Sequence, residues 1–98
     1  MEDKKRFQER IESTLKDIGS KIEELKSRAE RGKEDVKARY HEQIEGLKAK
    51  QEEARRKLRD IKEAGEGKWE SLKSGMEKTV SDLKKTFDDT VSRFKKAG

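Results

Sequence analysis

From Phe7 to Ile61 the apolar residues step by three or four. They are Phe7, Ile11, Leu15, Ile18, Ile22, Leu25 and Ala29, then Val36, Tyr40, Ile44, Leu47, Ala54, Leu58 and Ile61. At about 100° per residue all of them fall in an arc of roughly 100° on a helical wheel. That phase carries across Gly19, Gly32 and Gly46. A turn at Gly32 would release the second segment from the phase of the first. The pattern therefore predicts one amphipathic helix over about residues 3–64, ~90 Å long at ~1.5 Å per residue. Ile11 to Val36 reads as heptads. Near Tyr40 two steps of four follow each other, a stutter of the kind that locally unwinds a supercoil.

The strongest punctuation is Ala64-Gly65-Glu66-Gly67. It predicts a hinge at 65–67, with Gly65 as a left-handed cap on the first helix. A shorter helix is expected over about 68–97. Its apolar residues are Trp69, Leu72, Met76, Val80, Leu83, Phe87, Val91 and Phe94. Their steps of 3, 4 and 4 make an eleven-residue repeat, and the text repeats with them: WESLKSGMEKT, VSDLKKTFDDT, VSRFKKAG. A period of ~3.67 residues per turn gives a stripe that runs nearly straight or slightly right-handed.

The expected architecture is all-α, a single coiled-coil domain over 1–98 shaped as an elongated helical hairpin. Folded back at Gly65 and Gly67, the shorter helix would cover roughly residues 34–64. The stripe formed by Phe7, Ile11, Leu15, Ile18, Ile22 and Leu25 would then be bare, and a bare apolar stripe is an interaction surface. Pairing with a second copy, most simply as an antiparallel two-fold dimer, would cover it. The alternative is a three-helix bundle with turns at Gly32 and at Gly65–Gly67, because the three segments are of near-equal length.

Composition narrows the functional classes. Of 98 residues, 50% are charged and 28% apolar. A broad core with layers on two sides is out of reach, but a thin stripe along helices needs only two or three apolar positions in seven. The absence of proline suits long helices. No apolar run exceeds two residues, so neither a transmembrane helix nor a secretory signal is expected, and a cytoplasmic location is. The net charge of +5 is interleaved with acids along the whole chain rather than gathered into a patch, so nucleic acid is not an expected partner. The most basic window, Lys48 to Lys62, has no interleaved aromatic residues on which bases could stack.

Catalysis needs tuned groups in a dry pocket. His41 is the sole histidine and sits among Tyr40, Glu42 and Glu45 on a charged helix. No phosphate loop, EF-hand or zinc-protease motif occurs. Neither an enzyme, a metal site, a cofactor nor a small-molecule substrate is expected. Trp69 reads as a plug at the hairpin end. It could also anchor the helix at a membrane interface.

Two stretches carry a resemblance: YHEQIEGLKAKQEEARRKL at Tyr40–Leu58 and AGEGKWESLKSGMEKTVSDLKKTF at Ala64–Phe87. The chain resembles a group of short bacterial coiled-coil proteins with no established activity. That resemblance implies an unbroken first helix, since similar proteins have helix formers where this chain has Gly32. It brings no catalytic or ligand residues. The repeats over 69–98 are similar to the amphipathic helices of apolipoproteins and desiccation-linked (LEA-type) proteins. Lys73, Lys84, Lys95 and Lys96 would then flank a lipid-facing stripe, while Asp82, Asp88 and Asp89 oppose attraction to anionic lipid. The expected function is a non-enzymatic interaction or scaffold protein that self-associates, or binds a partner helix, through its apolar stripe. The alternative is a lipid-surface or stress-protective amphipathic helix.

Overall fold

A computed structural model describes residues 3–97. These form three helices: α1 (Lys4–Glu30), α2 (Glu34–Glu63) and α3 (Glu66–Ala97). The all-α expectation holds. Of the two architectures, the structure adopts the three-helix bundle. The continuous helix over 3–64 is interrupted at Arg31–Lys33, and the molecule measures 51 × 20 × 17 Å. About 30 residues at ~1.5 Å each account for the long dimension.

The helices run up, down and up. Glu12 pairs with Lys62, and Glu23 with Lys48 at 3.6 Å, so α1 and α2 are antiparallel. Lys57 Nζ donates to Thr79 Oγ1 at 2.8 Å and the Tyr40 hydroxyl donates to the Arg93 carbonyl at 2.7 Å, so α2 and α3 are antiparallel too. Phe7 meets Trp69 at one end, and Arg28 lies over Phe94 at the other, which sets α1 parallel to α3.

Local chemistry explains where the helices begin and end. Asp3 caps α1, its Oδ1 accepting from the Arg6 N–H at 2.8 Å. At the first turn Arg31 is still helical, with its N–H on the Ser27 carbonyl at 3.2 Å, and the chain is extended at Lys33 (ψ 160°). Gly32 has no positive φ. What it supplies is space, because a Cβ there would stand 3.1 Å from Val36 Cγ1 and 3.3 Å from the Ala29 carbonyl.

The second turn corrects the expected hinge. Gly65 is not left-handed. Its carbonyl accepts from the N–H groups of Lys68 and Trp69, both at 3.1 Å, so Gly65 opens α3 rather than closing α2. Gly67 lies inside the first turn of α3. The last carbonyls of α2 are taken by Lys4, whose ammonium donates to Ala64 O at 2.6 Å and Lys62 O at 3.2 Å. A cation at a helix C-terminus also suits the macrodipole.

The core is one continuous seam. In α2 it follows strict heptads through Tyr40, Ile44, Leu47, Gln51, Ala54, Leu58 and Ile61, all buried. In α3 the buried residues Trp69, Met76, Val80, Leu83 and Thr90 are joined by the half-buried Lys73, Phe87 and Phe94. These also step by 4 and 3, so the packing of α3 is heptad and the eleven-residue text repeat does not govern it. Leu72, expected to pack in the hairpin, is 41% exposed. Lys73 takes the seam position instead. Its ammonium lies 5.6 Å from the Phe7 ring centroid and 5.8 Å from that of Trp69.

Gly46 lies mid-way along α2 with open space around its Cα. Gly46→Ala removes a helix-interior glycine at no steric cost. It is expected to stabilise the chain by about 0.5–1 kcal/mol. That is a rise of roughly 4 °C in thermal midpoint, read by circular dichroism. No change or a fall would show that α2 is not helical at Gly46.

Candidate interaction surfaces

The stripe nominated by sequence is not bare. Phe7, Ile11, Leu15, Ile18, Ile22 and Leu25 are each at most 5% exposed, with no other chain present. The cause is the turn at Arg31–Lys33. Because the chain reverses there, α1 lies beside both other helices along its full length, and α2 and α3 bury it. Of the expected hairpin-packing set, Trp69, Met76, Val80 and Leu83 are buried, and Phe87, Val91 and Phe94 are half-buried against the core.

Each end of the bundle is closed by aromatic residues. Phe7 and Trp69 stand 5.8 Å apart between ring centroids, with Arg10 lying 5.2 Å from the Phe7 centroid. Trp69 is therefore a buried plug packed on α1. At the opposite end Tyr40 and Phe94 meet at 4.7 Å, and the Tyr40 hydroxyl is satisfied by the Arg93 carbonyl.

The feature that sequence reading missed lies between α1 and α2. Gln51 occupies a seam position and is 8% exposed. Its Nε2 donates to the carbonyl of Leu15 on α1 at 3.3 Å. That carbonyl belongs to the turn that ends at Gly19. A Cβ on Gly19 would stand 2.5 Å from Gln51 Nε2. The missing side chain is thus what lets the amide reach the α1 backbone. The signal was present in the sequence as the step of seven from Leu47 to Ala54, with a glutamine at the vacant position.

Around this key runs an open furrow of about 820 Å³ between α1 and α2. Its rim carries both signs of charge, with Glu12, Glu23 and Glu52 against Lys16, Lys48 and Arg55. Glu12 and Glu23 are engaged across the furrow by Lys62 and Lys48. Ion pairs at such exposed positions contribute little stability, about 0–1 kcal/mol each, but they favour one alignment of the helices over its neighbours.

His41 is exposed on α2. Among the described residues no group of three or more His, Cys, Asp or Glu side chains is placed to hold a metal ion. Among the described residues no helix is long and apolar enough to cross a membrane. No protein-family model, curated protein or solved structure matches the chain.

Proposed function

We propose that this chain is a non-enzymatic helical interaction module that associates with a helix of matching stripe, in the first instance one from a second copy of itself. The observation that supports it is the Gln51–Gly19 key. A polar residue in a heptad seam lowers stability relative to an aliphatic one, and its best-attested use is to fix register and partner choice. Here the glutamine reads a glycine notch and a backbone carbonyl on α1. An α1 segment carrying Leu15 and Gly19 at this spacing satisfies that key whichever chain it comes from. The charge pairs beside it select the same alignment.

Two measurements test the reading. Sedimentation equilibrium over a wide loading range is expected to give a mass above one chain that falls on dilution. A single-chain mass at every loading would leave partner-helix binding as the only surviving form of the proposal. Gln51→Leu is expected to raise the urea midpoint, by about 1 kcal/mol or more in stability, because it replaces a polar seam residue by an apolar one of similar volume. The same change is expected to broaden the distribution of associated species. A variant that is less stable, with an unchanged distribution, would show that the glutamine is a structural bond and not a register key.

A further inference from the structure

We infer that α1 is exchanged between two copies of this chain. Straightening of the Arg31–Lys33 turn gives an antiparallel two-fold dimer in which each α1 packs on the partner's α2 and α3. This rests on the self-association reading above and adds the surface, the hinge and the geometry.

The first argument is phase. Within a closed bundle a turn uncouples the two helices it joins, and nothing then requires their stripes to share a face of a common helix. Yet Leu25, Ala29, Val36 and Tyr40 keep one helical phase through the turn. If residues 31–33 become helical, the α1 and α2 stripes line one face of a single helix over 4–63, ~90 Å long. Two such helices laid antiparallel bring α1 of each against α2 of the other. That is the orientation fixed in the closed chain by Glu12 with Lys62 and Glu23 with Lys48. Every seam contact, the Gln51 key included, is kept between chains.

The second argument is the turn itself. Arg31 is already helical and Lys33 is extended. Lys33 provides no side-chain hydrogen bond to cap α2, so the first N–H groups of α2 lack the partner that a capping residue would give. Carbonyls of the last turn of α1 would satisfy them in a continuous helix. Neither proline nor a left-handed residue fixes this turn. At the other turn the Gly65 carbonyl accepts from two N–H groups, those of Lys68 and Trp69, whereas at this one the Lys33 carbonyl accepts from that of Lys37. Opening therefore occurs at Gly32 and leaves α2–α3 as a hairpin. Short hinges of this kind are where exchange of identical elements occurs.

Gly32→Ala separates the two forms. In the closed turn the new Cβ crowds Val36 Cγ1 and the Ala29 carbonyl, whereas in a continuous helix alanine is the preferred residue. It is expected to raise the dimerisation constant by about ten-fold or more. Insertion of Gly-Ser-Gly-Ser after Gly32 is expected to lower it by a similar factor, since a longer linker favours closure within one chain.

The experiment co-refolds isotopically heavy and light full-length chains from denaturant at high concentration, isolates the dimer, and links contacting lysine and carboxylate side chains with a zero-length carbodiimide. Exchange predicts links between Glu12 and Lys62 that join heavy to light peptides, more abundant in Gly32→Ala and scarce after the insertion. A dimer whose 12–62 links are always of one isotope overturns exchange and leaves self-association standing. A single-chain mass for both the natural chain and Gly32→Ala, at every concentration, overturns exchange and self-association together.

Discussion

Ile18→Asp is expected to unfold the whole chain rather than one segment of it. Ile18 sits mid-way along α1, 5% exposed, within a core cluster that draws on all three helices. Had residues 4–30 stood apart as a bare stripe, an aspartate there would have weakened association and left 34–97 folded. In the bundle it instead places a carboxylate among apolar side chains. Desolvating that charge, or shifting its pKa far enough to neutralise it, costs several kcal/mol. The lost isoleucine adds about 2–5 kcal/mol more, as large-to-small core changes do. A domain of this size has only about 5–15 kcal/mol in hand. Far-ultraviolet circular dichroism at 25 °C should show the helical signal largely gone, and amide exchange should show α2 and α3 losing protection together with α1. Retained protection in 34–97 would mean that α1 is not part of the cooperative unit.

The same contrast shows which parts of the fold were legible in the sequence. Helix content and the identity of the stripe were, because a 3.6-residue period survives any arrangement of the helices. All six α1 residues nominated as a seam are core residues. What they face was not legible, since a stripe specifies a face and not its partner. The turn at Arg31–Lys33 was hidden by continuity of phase, and Gly32 alone is weaker punctuation than Gly65 with Gly67. Its signal is steric and appears only against Val36 and Ala29 in space. In α3 the text repeat suggested Leu72 and Val91 as seam members. Packing against two neighbours left Leu72 exposed and Val91 half-buried against the core, with the half-buried Lys73 and the buried Thr90 at the heptad positions beside them. Thr90 satisfies its hydroxyl on the Thr86 carbonyl at 2.9 Å. The Gln51 key was invisible to a reading that counted apolar residues only, although the gap it fills was in plain view.

Phe7→Ala is expected to cost about 3–5 kcal/mol, the second largest single effect. Phe7 is fully buried near the start of α1. It ties that helix to Trp69 and lies beneath Arg10 and Lys73, whose charges sit 5.2 and 5.6 Å from its ring centroid. Removing the ring leaves a void at the end of the bundle and frees both cations from an aromatic face. Lys4, one turn before Phe7, then loses the anchor that holds it over the last carbonyls of α2. The loss should lower the thermal midpoint by about 15 °C or more for a domain of this length. Trp69 is the sole tryptophan, so its fluorescence reports on this end alone. Emission should shift to the red in the folded variant as water reaches the indole, while Tyr40 and Phe94 at the far end stay packed. The size of that local shift bears on exchange as well. α1 must leave Trp69 before it can dock on another chain, so a variant that loosens this contact should also exchange faster. Fluorescence of Phe7→Ala that matches the natural chain, with an unchanged midpoint, would mean that the contact between α1 and Trp69 does not hold this end closed.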